Sequence, residues 1–520
     1  MKRLDAFGRP WTFFEGTEQI QQLVISRAIS GLRIVNGHLE VLACLPASLL
    51  EVCGELVGFG CDGADMSIMV EPIYPSPRDV CTVTITMDSQ VAWRGGGASD
   101  RGHCAVMEEP GGLAVTSASE VALEQYVTAV DALLAGRIDV DGHVDAAIAA
   151  DGDMAMAWVL RSLRERTAGR VPESTVALAR ALDLAASVSD RERGVLTFFE
   201  AYNGPDRLRT ERLGVMHLRA YPRDRLVVQY MHFLYNLQLP RTDRRERHQA
   251  LAEEHAANWD EDWFLLGERA FITTEAGHHD VARELAERAL VARPENAPAA
   301  HALAHALLET GALEEGQVWL GDWLGTWGSA STSACHLAWH HALLTLADGD
   351  EAAVSRRLDE ILAFTGHHIG ALFDGASLMW RLELQGWSHV LPWSLLEDAP
   401  SLPGFPFGTL HRALVLAGLR RPEAVRAEGS TIGGVTEQAC LALADHVEGD
   451  RTATADRLLA HEGELVTIGG SRAQLEVLDD TLIDSLARSG RSAAAARRLS
   501  SRLARRPSTR DERWLATITA

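Results

Sequence analysis

Lysine is almost missing from this chain: Lys2 is the only one in 520 residues. Its scarcity excludes a pyridoxal Schiff base, a G-x-x-x-x-G-K-[ST] phosphate loop and an S-x-x-K nucleophile motif. No H-E-x-x-H pair occurs either. Positive charge at any site must therefore come from arginine or protonated histidine. Cysteine is also sparse and unpatterned. The seven are an odd number and none forms C-x-x-C, so neither a disulfide framework nor a zinc knuckle is expected. Five of them (Cys44, Cys53, Cys61, Cys81, Cys104) fall in the first 104 residues and read as small hydrophobes in a reducing cell. No apolar run approaches the roughly 18 residues of a membrane span. The opening MKRLDAFGRPWTFFEG lacks the apolar core of a signal peptide, and a cytoplasmic protein is expected. Basic charge is outweighed throughout. A net charge of −23 gives no electrostatic footprint for nucleic acid and disfavours an anionic membrane surface.

What is present describes a folded chain. The hydrophobic fraction is 47% and the mean hydropathy −0.04, values of a globular protein rather than a disordered one. The length calls for more than one domain or a long repeat array. Residues 1–118 have their own texture. Helical stretches at Glu18–Ile29 and Ala47–Val57 accompany β-type runs at Leu32–Leu45, Met66–Ile73, Val80–Trp93 and Cys104–Thr116. Turn signals such as Asn36-Gly37 and Asp62-Gly63 separate them. This reads as a small α+β domain. The glycine run after Arg94 fits a hairpin end or loop better than an anion cradle.

From 119 to 520 the reading is helical. Alanine and leucine recur at three and four, and prolines stand between helices. Arg283 to Pro294 is typical: the run ARELAERALVAR is stopped by Pro294. Trp263, Leu266, Gly267 and Ala270 keep the W-x2-L-G-x2 spacing of the first helix in a tetratricopeptide repeat. Two-helix units follow at 295–327, 331–365, 369–395, 405–428, 436–462 and 473–505. Each can bury its apolar face only by stacking on its neighbours. The expected fold is mainly α: a tetratricopeptide-like α-solenoid with a concave side lined by first helices, preceded by the α+β domain.

One stretch organises this array. His301 and His305 are four apart, as are His336 and His340, and 35 residues separate corresponding members. A step of four keeps two side chains on one helical face. A step near about 34 residues moves one repeat along. Two stacked, equivalent helices therefore present two imidazoles each. Steps of 38 to Asp374 and 37 more to His411 extend the row, and Ser377 and Arg381 continue the stripe below Asp374. Three chemistries use such a set. Imidazoles from an i, i+4 pair with a neighbour can hold a divalent metal. A His–Asp pair can act as general base. Imidazoles with Arg381 can bind an anionic small molecule. Against these stands the plainer account, histidines hydrogen-bonded between packed helices with Trp339 in the seam. Cys335, adjacent to His336, faces another way on a helix and makes a poor nucleophile candidate. Gly469-Gly470-Ser471 reads as a turn with Ser471 as N-cap rather than an anion site.

The words HALAH at 301–305, ACHLAWHHAL at 334–343, DGASLMWRLELQG at 374–386, VLPW at 390–393, FGTLHRALVLAGL at 407–419 and GGSRAQLEVLDDTLI at 469–483 carry a resemblance. In their order and spacing, residues 126–520 resemble the tetratricopeptide repeat protein 38 family. The resemblance implies an all-helical superhelix and says little about activity. It implies family histidines at His232, His301, His305, His336, His340 and His411. Asp374, Arg381, Gly469, Gly470, Ser471 and Gln474 match as well. Departures fall at Thr409 and Phe233, where the family has Asp, at Trp158, where it has His, and at Leu308, where it has Glu. Each removes a polar group.

Two functions are therefore expected. The first is a histidine-lined pocket for a small molecule, with hydrolytic or acid–base chemistry on an amide or ester. Its candidate catalytic residues are His301, His305, His336, His340, Asp374 and His411, with Arg381, Ser377, His232 and Gln474 for ligand binding. No nucleotide or redox-cofactor motif is visible; a divalent metal at the histidines is the one cofactor the residues would accommodate. The second is a protein-interaction scaffold with a peptide or protein partner.

Overall fold

The computed structural model describes residues 32–35, 38–43, 66–72, 81–87, 105–109, 112–259, 262–366, 369–386, 391–402 and 404–520. The chain divides into two compact units, Met1–Arg101 and Gly102–Ala520. In the first, β1 (Leu32–Val35), β2 (His38–Ala43), β3 (Met66–Pro72) and β4 (Cys81–Met87) form an antiparallel sheet in the order β1-β2-β4-β3. Val35 pairs with His38, so only Asn36 and Gly37 link the two strands, the length of a tight hairpin connection. The register aligns Leu39 and Ile68 with Ile85 from either side. The helices expected at Glu18–Ile29 and Ala47–Val57, and the glycine run after Arg94, lie outside the described residues.

The second unit opens on a hairpin, β5 (Ala105–Glu109) and β6 (Leu113–Ser117). The division between the units therefore falls before this hairpin and not at 118. The cause is polar. The buried Glu192 carboxylate accepts from Thr116 N at 2.9 Å and Thr116 Oγ1 at 2.7 Å. Ser117 Oγ donates to Asp151 at 2.6 Å. The same Glu192 closes a capping box with Ser189, so one side chain starts a helix and docks the hairpin.

Helices fill the rest, in pairs: α1 (Glu120–Leu134) with α2 (Val140–Ala150), α3 (Ala155–Thr167) with α4 (Val171–Asp183), α5 (Asp190–Asn203) with α6 (Arg207–Ala220). Next come α7 (Arg225–Phe233) with α8 (Arg244–Trp259), α9 (Trp263–Glu275) with α10 (His279–Ala292), α11 (Ala297–Glu309) with α12 (Leu313–Trp327), and α13 (Ala334–Asp348) with α14 (Glu351–Leu362). A π-turn, Ala371–Gly375, leads into α15 (Ala376–Leu384). Then follow α16 (Pro406–Gly418) with α17 (Pro422–Ser430), α18 (Gly434–Glu448) with α19 (Arg451–Ala460), α20 (Arg472–Arg488) with α21 (Ser492–Leu503), and a last α22 (Thr509–Thr519). This is the tetratricopeptide-like solenoid the spacing calls for. Side-chain caps at Asp262, Asn296 and Asp350 start α9, α11 and α14. Gly349, at φ +82°, lets the chain leave α13 left-handed. No helix among the described residues is long and apolar enough to cross a membrane.

Hydrogen bonds between residues far apart in sequence close this array on itself. Gly470 N donates to Asn236 O at 2.7 Å, and Arg244 reaches the carbonyls of Val466 and Gly470. Arg472 N donates to Glu275 at 3.0 Å, and Arg506 to Glu309 at 3.0 Å. Thr332 N donates to Gly136 O at 2.7 Å. The late repeats thus sit against the middle ones, and the face expected to line an open hollow is largely covered.

Candidate functional site

The first helices α9, α11 and α13 lie side by side, and the π-turn before α15 packs against α13. Small residues permit that closeness: Ala300, Ala302, Ala304 and Ala306 of α11 are fully buried. Side chains one repeat apart consequently face each other, and four imidazoles meet. His305 Nε2 lies 3.0 Å from His301 Nε2, which is 3.1 Å from His336 Nε2, which is 3.2 Å from His340 Nε2. Asp374 joins through its Oδ1, 3.0 Å from His336 Nδ1. A π-turn sets the backbone there, a feature frequent at functional sites. The row expected from the spacing is assembled from His301 through His336 to Asp374, with His305 and His340 one turn along.

The cluster is embedded rather than laid on a surface. His305, His340 and Asp374 are almost wholly buried, His301 is partly buried, and the His336 side chain keeps 26% of its surface exposed. Aromatic rings wall it in. Phe271 stacks on His301 at 5.0 Å between centroids and meets His305 edge-on; Trp339 stacks on His336 at 5.3 Å. Burial, reinforced by neighbouring imidazoles, pushes His301 and His340 well below the ordinary histidine value. Burial brings His305 down to about 3, with His336, His279 and Arg245 adding to the effect. These three rings are neutral at pH 7 and offer lone pairs. His301, His305 and His340 each place one ligand-capable nitrogen within 4.8 Å of the other two.

The other candidates go elsewhere. His411 donates from Nδ1 to the Phe407 carbonyl at 2.8 Å, packs on the Phe407 ring, and is lowered by burial to about 4. It lies outside the run of Nε2 contacts. His232 Nδ1 comes within 2.6 Å of the buried Glu268 carboxylate without the alignment of a hydrogen bond. Phe271 touches both His232 and His301. Arg381 and Ser377 are not ligand groups of this cluster. The Arg381 guanidinium is buried and donates to the Ser377 hydroxyl and carbonyl and to Ala473 O, with Asp480 at 3.7 Å. Burial lowers it to about 10. Gln474 accepts from Ser471 N at 2.9 Å as the far half of a capping box. The N–H groups of Gly470, Ser471 and Arg472 all meet protein acceptors, so that helix start offers no anion site. Cys335 is held protonated, raised by burial and by Asp374.

Glu275 and Phe271 were not singled out by the sequence, yet both reach the cluster, while Glu268 on the same helix stands against His232. Glu275 Oε1 lies 3.7 Å from His305 Nδ1. Burial raises this carboxyl against the pull of Arg245 and Arg472. The signal was available: 268, 271 and 275 make a helical stripe in the repeat before His301. The His340 Nδ1 and Trp339 Nε1 atoms, both buried, have no protein partner. A cavity of about 600 Å³ is lined by Glu351, Gln385, Asp484, Arg510 and Trp514, and neither it nor the three smaller described cavities has a cluster histidine in its wall.

No family model matches this chain. Among solved structures, the chain is similar to the P58(IPK) TPR domain, at 13% identity over 70% of this chain and 99% of that one, with a TM-score of 0.20. It is also similar to a structure of Naa15/Naa10 bound to HypK-THB, at 13% identity over 74% of this chain and 62% of that one, with a TM-score of 0.16. Superpositions of that quality carry no argument about what this protein does.

Proposed function

We propose that this helical-repeat protein carries a small-molecule site at the His336–Asp374 edge of its histidine cluster. The chemistry proposed there is acid–base, on a small amide or ester. The observation that supports this is the pair itself. A buried carboxylate stands 3.0 Å from Nδ1 of a partly exposed imidazole whose Nε2 turns toward the other rings. A carboxylate so placed fixes the tautomer and leaves Nε2 as the proton acceptor. The resemblance to the tetratricopeptide repeat protein 38 family supports treating the four histidines as one set. A cytoplasmic location belongs to the same proposal, consistent with the free thiols Cys335 and Cys440.

The test is turnover of a panel of small amides and esters by the full chain and by Asp374→Asn. The expected outcome is a kcat lower by about 10²-fold or more, with KM little changed and the thermal midpoint kept. Equal turnover by both proteins defeats the acid–base reading. A second reading, a scaffold for a protein partner, is favoured by the solenoid, since stacked helix pairs offer long binding surfaces. The net charge of −23 makes a basic peptide the partner to try. A chain that turns over no panel compound but binds such a peptide with salt-sensitive affinity is a scaffold.

A further inference from the structure

Four imidazole Nε2 atoms crowd together in the histidine cluster. A ring nitrogen has one in-plane position, holding either a hydrogen or a lone pair, and completes one well-aligned hydrogen bond. His301 Nε2 faces two other Nε2 atoms, at 3.0 and 3.1 Å, and His336 Nε2 faces two, at 3.1 and 3.2 Å. Alternating tautomers, with hydrogens on Nε2 of His301 and His340 and lone pairs on Nε2 of His305 and His336, face a donor to an acceptor at each contact and leave Nδ1 of His336 to donate to Asp374. The two middle nitrogens are still shared between two neighbours, and the buried His340 Nδ1 has no protein partner. A cation can meet several such lone pairs at once.

We infer that His301, His305, His336 and His340 hold one divalent transition-metal ion through their Nε2 atoms. In a tetrahedral site, metal–nitrogen bonds of about 2.0–2.1 Å put the donors about 3.3–3.4 Å apart. Three of the six donor pairs here lie at 3.0 to 3.2 Å, and nitrogens of His301, His305 and His340 lie within 4.8 Å of one another. The donor type fits: an all-imidazole set suits zinc, copper, nickel or iron rather than magnesium or calcium. The surroundings match what metal-bound histidines need. Asp374 backs His336 through Nδ1 at 3.0 Å, and a carboxylate so placed orients the ring and strengthens it as a donor. Glu275 lies 3.7 Å from His305 Nδ1. Phe271 and Trp339 exclude water from the sides. His336, the exposed member, marks the side from which a further ligand can approach the ion. The inference goes beyond the acid–base reading and displaces it while the ion is bound, because the one lone pair on His336 Nε2 cannot both hold a metal and accept a proton.

The experiment strips the full chain with a chelator, reconstitutes it with Zn²⁺ or Co²⁺, and counts metal per chain by mass spectrometry. One ion per chain, a higher thermal midpoint on adding Zn²⁺, and visible absorption from an imidazole-bound Co²⁺ form are expected. His305→Gln and His340→Gln each weaken binding at least tenfold. His341→Ala keeps one ion per chain, because that ring turns toward Gly321 of α12, away from the cluster. Each variant is compared at matched far-ultraviolet circular dichroism. Should the buried substitutions not fold, His336→Asn at the exposed edge shows the same tenfold loss and an altered Co²⁺ spectrum. A folded wild-type chain that takes up no metal overturns the inference, as does equal binding by the folded glutamine variants or by His336→Asn. Turnover by metal-free protein would then leave the acid–base reading standing alone.

Discussion

At the scale of single residues, burial decides which polar groups remain available for chemistry. Arg381 looked like an anion ligand because it continues the stripe below Asp374. In the fold its guanidinium is 1% exposed, held by Ser377 and Ala473 and close to Asp480. A charge in that setting supports the fold, and removing it leaves acceptors unpaired. Arg381→Met should cost about 3 kcal/mol of stability, the lower end for a broken buried pair because Arg502 and Arg510 still pair Asp480. Denaturant unfolding measures this. Metal content and any ligand affinity should stay at wild-type values, and their loss at unchanged stability would return Arg381 to the site.

At the scale of elements, the turn before α20 does more than start a helix. Gly469 has φ +98°, and a Cβ there would sit 2.9 Å from the Leu237 carbonyl oxygen. Gly470 bonds to Asn236, and Arg472 N donates to Glu275, the carboxylate behind His305. This turn therefore ties a late repeat to the π-turn at Leu234–Gln238 and to the wall of the histidine cluster. Gly469→Ala should destabilise the protein by about 1–3 kcal/mol, from left-handed strain and the close backbone contact. It should also speed amide exchange in residues 234–238 and 469–474. Exchange unchanged in both segments would show that the turn does not hold the repeats together.

For the helical unit as a whole, closure matters more than repeat number. A simple solenoid frays from its ends, since each repeat touches only its neighbours. Here α22 packs on α13, and Arg506 bridges Glu309 to Glu476. Burial works against ionising Asp480, and Arg510 and Arg502 outweigh it, holding that carboxyl below the usual range. Deleting residues 506–520 removes Arg506 and Arg510 together. The expected loss is about 3–5 kcal/mol, read as a lower unfolding midpoint for the whole helical unit. A separate early transition, with the main midpoint unmoved, would instead mark α22 as an appendage.

The sequence by itself determined that 119–520 is helical, most of the helix pairs from Trp263 onward, and the side-by-side placement of His301, His336 and Asp374; the unit expected at 369–395 holds, among its described residues, a single α-helix, Ala376–Leu384. Those features follow from the 3.6-residue turn and the repeat length, which are local and periodic. The β-strand runs of the first unit were legible for the same reason, through alternation and turn residues. Only the tertiary structure decided what each polar group faces. It moved the 105–117 hairpin into the helical unit through Glu192, committed Arg381, Ser377 and Gln474 to the scaffold, and set His411 against Phe407. It also brought Glu275 and Phe271 to the cluster and covered the face with repeats some 200 residues away in sequence. Spacing along a helix fixes direction, but burial and partners depend on which distant segment comes to lie against it.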